Sequence, residues 1–221
     1  MKRQKSIPLM CALLTACLSS VSHDYVTFNK VKPAATQKVV NCPAGLVLDS
    51  FQANSRVAIA VVSPKLLTGY GTPIVVVIAN RSNRPFEVDE QDISLRQDGG
   101  NPVLVTDERA SAIDKHYTQS HLSAGMVMAL LGGALLAVAH TTDSASVNSV
   151  ADPLTKDVDK ANETAKERQA AFIRARFRGT TLSPGEATAG YIVVENVKAA
   201  PLTIVIKVGT EVHKFTLLTE G

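Results

Sequence analysis

The residues suited to acid–base or metal chemistry are scattered along this chain. Five histidines stand at His23, His116, His121, His140 and His213. His116 and His121 are five apart, out of phase for one helix face, and no glutamate sits between them as in the zinc-hydrolase helix. His121 and His140 bracket an apolar segment and read as interfacial. Glu87, Asp89, Glu90 and Asp92 could gather round a cation, but the glycine and terminal glutamate of a calcium loop are missing. They read as a solvated edge. No serine lies in a Gly-x-Ser-x-Gly elbow, and no glycine loop of the phosphate-cradling kind is present. The expectation is no catalytic residue, no metal site and no cofactor. Of the cysteines, Cys42 lacks a partner and reads as a buried thiol or an intermolecular bridge. Cys17 has a context that points to covalent chemistry.

That context is a basic head (Lys2, Arg3, Lys5), an apolar run from Ile7 to Leu14, and then Leu14-Thr15-Ala16-Cys17. A secretory signal ends at small residues. With a cysteine directly after them, the segment resembles the signal of bacterial lipoproteins. The resemblance implies cleavage of residues 1–16, a diacylglycerol on the Cys17 thiol and an acyl chain on its freed amine. Two or more chains hold a protein firmly to a membrane where one is marginal. Leu18 and Ser19 follow, and the absence of an aspartate after Cys17 implies the periplasmic face of the outer membrane. The removed segment holds three basic and no acidic residues, which leaves 20 of each sign in the remainder. No net field then draws nucleic acid, and none is expected as a partner.

The elements behind Cys17 fall into distinct textures. Residues 17–36 read as a polar tether. Short β-rich runs follow: 56–62, 73–79 (apolar on both faces, hence central), 86–88, 93–95 and 102–105. The β texture returns near Thr180, with 189–195 as a strand and 202–208 with 211–218 as a hairpin around Gly209-Thr210. About seven strands with frequent turn signals predict an antiparallel sandwich. Neither block has enough strands to close a core alone, so residues 37–107 and 179–221 are expected to form one discontinuous domain. Asn80-Arg81-Ser82-Asn83-Arg84-Pro85, with Gly99-Gly100 further on, and Leu182-Ser183-Pro184-Gly185-Glu186 leading to Gly190 carry a resemblance. They are similar to the turn motifs of telokin-like, immunoglobulin-like domains of exported bacterial proteins. That resemblance implies a fold and no activity. The fold class expected is mainly β, an immunoglobulin-like sandwich with an α-helical insertion.

The insertion spans residues 108–178. No Asp, Glu, Lys or Arg occurs between Lys115 and Asp143. Residues 122–139 predict an apolar helix about 27 Å long at roughly 1.5 Å per residue, marginal for a bilayer core of about 30 Å. Gly125, Ala129, Gly133 and Ala137 recur every fourth position, a stripe that lets helices pack closely. Leu130, Leu131, Leu135 and Leu136 would face lipid or other partners. Spanning the membrane and packing on the sandwich both remain open. Asp152-Pro153 starts a second, amphipathic helix to 176. Arg174, Arg176 and Arg178 near its end could touch headgroups or an acidic partner. Together these features predict a lipid-anchored structural or assembly protein, a homo-oligomer or a subunit of an envelope complex such as a secretion or appendage machine. The competing expectation is a monomeric binding or inhibitor module that uses its sandwich loops.

Overall fold

A computed structural model of the chain describes residues 28–42, 45–62, 71–105 and 176–219. The signal, Cys17, the 122–139 and 152–175 segments, the Gly125–Ala137 stripe, the four leucines and Arg174 lie outside these residues. The described part is almost wholly β, in antiparallel sheets.

Among the described residues twelve strands run in chain order: β1 (Phe28–Val31), β2 (Gln37–Cys42), β3 (Gly45–Phe51), β4 (Ser55–Val62), β5 (Thr72–Asn80), β6 (Phe86–Val88), β7 (Ile93–Gln97), β8 (Val103–Leu104), β9 (Thr180–Leu182), β10 (Ala187–Glu195), β11 (Leu202–Val208) and β12 (Glu211–Thr219). One sheet has the order β2-β3-β4-β5-β10-β8, a second the order β1-β12-β11-β7, and β6 and β9 form a small ladder. Twelve strands exceed the seven expected. The extra ones sit where alternation is weak. β3 carries Asp49 and Ser50, both buried, in place of an apolar pair. β1 lies inside the stretch expected to be a tether, and pairs with β12.

The two sheets share one core. Leu48, Val57, Ile59, Ile74, Val76, Ile78, Ile192 and Val194 meet Ile93, Leu202, Ile204, Ile206, Phe215 and Leu217. Each such side chain contributes about 2 kcal/mol on burial. β6 and β9 add Val88 and Leu182 to that core. β5 is central, between β4 and β10, and all but its first residue are buried. Its continuous apolar run follows from this, because the second face of the six-stranded sheet is also buried: Val47, Ala58, Ala60, Val75, Val77, Tyr191 and Val193. The four-stranded sheet follows the other rule. β11 alternates buried and open side chains along its length, so one face is core and the other is wet. A two-residue loop joins β11 to β12, with Val208 opposite Glu211. Gly209 takes φ +57°, a conformation that such short hairpins need at the first loop position.

Both sheets draw strands from both sequence blocks. β10 lies between β5 and β8, and β11 pairs with β7. The chain before residue 106 and the chain after 175 therefore build a common structure.

Candidate functional site

The two turn motifs that carried the resemblance meet in space. Asn80 ends β5 and is buried. Its side-chain amide donates to the carbonyls of Arg84 (2.8 Å) and Leu182 (2.9 Å), and its Oδ1 accepts from the Ser82 N–H (2.9 Å) and hydroxyl (2.8 Å). The Gly185 N–H donates to the Asn80 carbonyl at 3.0 Å. Ser183-Pro184-Gly185-Glu186 closes as a turn, with Gly185 at φ +80° after proline. One asparagine thus ties together loops about a hundred residues apart. Its role is positional.

The acidic group of the sequence also serves local structure. Asp89 caps a short 3-10 turn, Glu90–Asp92, accepting from the Gln91 N–H, while Asp92 accepts from the Asp89 N–H, both at 3.0 Å. Among the described residues no group of three His, Cys, Asp or Glu could hold a metal ion.

A polar cluster that the sequence reading passed over lies between the sheets. Ser50 and Ser55, at the end of the β3–β4 hairpin, face Glu211 and His213 of β12. The Ser55 hydroxyl donates to Glu211 Oε2. Its oxygen lies 2.8 Å from His213 Nε2, and His213 Nδ1 lies 2.9 Å from the Ser50 hydroxyl. Since Ser55 gives its proton to Glu211, the network assigns the Nε2 proton to the histidine and makes Nδ1 the acceptor from Ser50. An imidazole in this tautomer cannot take a proton from Ser55. Both serines and the histidine are buried, out of reach of a substrate. The cluster is therefore a clamp between sheets. Further ties reinforce it: the Asn54 backbone N–H donates to Glu211 (2.9 Å) and the Gln52 side-chain amide to the Val212 carbonyl (2.6 Å).

Electrostatics agree with a neutral histidine. Burial pushes the His213 pKa down to about 4, against the opposing pull of the Glu211 and Asp49 charges. Burial alone would raise Glu211. Hydrogen bonds from Ser55 and the Asn54 backbone, with the His213 charge, outweigh it and hold the carboxyl below its ordinary 4.5. Beside this clamp, on the other face of β3 and β4, Asp49 and Arg56 form a buried ion pair, and the Arg56 guanidinium stacks 4.3 Å from the centre of the Phe51 ring.

The third assembly is where the chain leaves the described residues and returns to them. The Val105 N–H donates to the Val193 carbonyl at 3.0 Å, and the Phe177 N–H to the Tyr191 carbonyl at 2.9 Å. Both partners lie on the same edge of β10, two residues apart. The Arg176 guanidinium donates across the gap to the Val105 carbonyl at 3.1 Å. Val105 and Arg176, the described residues on either side of the 106–175 segment, thus lie side by side. Phe177 is fully buried in the core, and Gly190 makes room for it: a Cβ at position 190 would fall on the Phe177 backbone. Among the expected contact residues, Arg178 is exposed, whereas Arg176 is buried and bridges to Tyr191 in the sheet. Arg176 is a strut of this stem: its side chain is buried and held on the Val105 carbonyl. No sequence signal distinguished it from its arginine neighbours.

Among the described residues two shallow surface concavities, of about 400 and 340 Å³, are lined in part by Arg96, Asp98, Thr203 and Lys214 and by Thr36, Lys38 and Phe51, respectively. Among the described residues no helix is long and apolar enough to cross a membrane. No protein-family model, curated protein or solved structure matches the chain.

Proposed function

We propose that this protein is a lipid-anchored structural or assembly subunit of an outer-membrane complex. It sits on the periplasmic face, held through Cys17, and works by presenting the segment between residues 105 and 176. The observation that carries this reading is the stem. Seventy residues enter and leave at one point on β10, joined by the Arg176–Val105 hydrogen bond. A sandwich with such a stem is a rigid base for an inserted arm. The proposed arm is a helical hairpin, and Gly125, Ala129, Gly133 and Ala137 on its apolar limb pack against the same stripe in another copy or subunit. The role is non-catalytic, and needs no cofactor and no nucleic acid. The sandwich is proposed to be immunoglobulin-like, of the telokin-like kind; the docking of the Asn80 turn on the Leu182–Gly190 turn supports this.

Size-exclusion chromatography with light scattering, on protein extracted from membranes in mild detergent, tests the reading. The wild-type chain is expected as an oligomer, and Gly133→Leu as a monomer with the same unfolding midpoint. A monomeric wild type would remove the assembly role. Mass spectrometry of the purified chain tests the anchor through the acyl mass on Cys17.

A further inference from the structure

The even balance of charge in residues 17–221 hides a local asymmetry. The wet face of the four-stranded sheet receives one exposed cation from each strand: Lys30 from β1, Lys214 from β12, Lys207 from β11 and Arg96 from β7. No strand places a carboxylate there. Glu211, the one acidic residue in these strands, points inward to Ser55. Register sets Val205 beside Lys214 and Thr203 beside Arg96, so small neutral side chains separate the charges. Val212, on the same face, is half exposed. Asp98, in the turn after β7, is the acidic neighbour that shares a shallow groove with Arg96 and Lys214. Among the described residues no ion pair engages the four cations.

We infer that this face lies against an anionic phospholipid surface. The inference rests on the anchor proposed above. β1 begins 11 residues after Cys17, so the sheet edge stays within about 40 Å of the lipid even on a fully extended tether. The anchored domain then spends its time where a basic face can reach headgroups. A broad face with spaced cations matches a plane of phosphates better than a single small anion, which would need a cleft. Each cation near an anionic surface adds about 1 kcal/mol, roughly fivefold in affinity, within a Debye length.

The test is co-sedimentation of the processed chain, from residue 17 onward with Cys17→Ala, so that no acyl group contributes. Vesicles of phosphatidylcholine are compared with vesicles that also contain phosphatidylglycerol. Binding is expected only to the second kind, and is expected to fall with salt. The variant Lys30→Gln/Arg96→Gln/Lys207→Gln/Lys214→Gln is expected to lose at least about tenfold. Lys38→Gln/Arg81→Gln/Arg84→Gln, which removes exposed cations elsewhere, is expected to stay within about twofold of wild type. Both variants are expected to keep the wild-type unfolding midpoint. Equal binding to neutral vesicles, equal loss in the two variants, or no binding to anionic vesicles would overturn the inference, the last leaving an acidic protein as the partner. Acyl mass on Cys17 with no vesicle binding sinks the face and keeps the anchor; an unmodified Cys17 with salt-sensitive vesicle binding does the reverse.

Discussion

His213 shows what one side chain contributes when burial sets its chemistry. In the unfolded chain its pKa is the ordinary 6.5; in the fold it is held near 4. A group whose folded value is depressed binds more protons when unfolded. Its contribution is therefore whole above pH 6.5 and drains away as pH falls toward 4. The difference amounts to about 3 kcal/mol at most. Glu211 acts in the same sense at lower pH, because its folded value also lies below the unfolded one. Urea unfolding followed from pH 7 to pH 4 is expected to show falling stability, and His213→Gln is expected to flatten the part of that slope between pH 6.5 and 4. An unchanged slope in the variant would remove His213 from the account. The variant is also expected to be less stable at pH 7 by about 1–3 kcal/mol, since it leaves buried serine hydroxyls incompletely paired.

At the scale of elements, β10 is the strand on which most depends. It pairs with β5 from Ala187 to Val194, holds β8, and receives the Val105 and Phe177 N–H groups. That convergence demands close backbone approach, and Gly190 is where it happens. Alanine at this position places its methyl group on main-chain atoms of Arg176 and Phe177, which cannot rotate aside as a side chain could. Gly190→Ala is expected to cost about 3 kcal/mol, at the upper end for overpacking, read as a lowered denaturation midpoint. A variant as stable as wild type would mean that the stem does not cross β10 this closely. The Asn80 turn makes a second junction of the same kind, in which two loops without regular structure hold each other through one buried amide.

Taken as a whole, the molecule is a set of pairings between sequence-distant blocks. The block up to Val105 supplies β2 to β5 and β8 to one sheet and β1 and β7 to the other, but every partner of β1, β7 and β8 lies after residue 176. A chain ending at residue 107 is thus expected to lack a cooperative urea transition, and co-expression with residues 175–221 to restore one. A sharp transition in the truncated chain alone would show that the first block holds a core by itself. The two outer faces also diverge at this scale: the six-stranded sheet is buried on both sides along its central strands β4, β5 and β10, whereas the four-stranded sheet turns a basic face to solvent.

Where local patterning was strong, the sequence by itself determined the elements. The apolar run of β5, the β11–β12 hairpin with its glycine, and the return of β structure near Thr180 follow from periodicity and turn chemistry, which act within a few residues. The strands β1 to β3 are weaker in that signal, because β3 buries Asp49 and Ser50 where an apolar residue would be expected. Their polar groups become tolerable only when Arg56 of the next strand pairs with Asp49 and His213, from the far end of the chain, reaches Ser50. The inward direction of His213 was in principle legible, since it shares alternation with Phe215 and Leu217, but its partners were not. The same holds for Arg176, which resembles its arginine neighbours until the fold sets Val105 beside it. Tertiary structure alone decided these sites, because a hydrogen bond or an ion pair between distant segments depends on chain closure and on exclusion of water, and neither leaves a mark on local residue spacing.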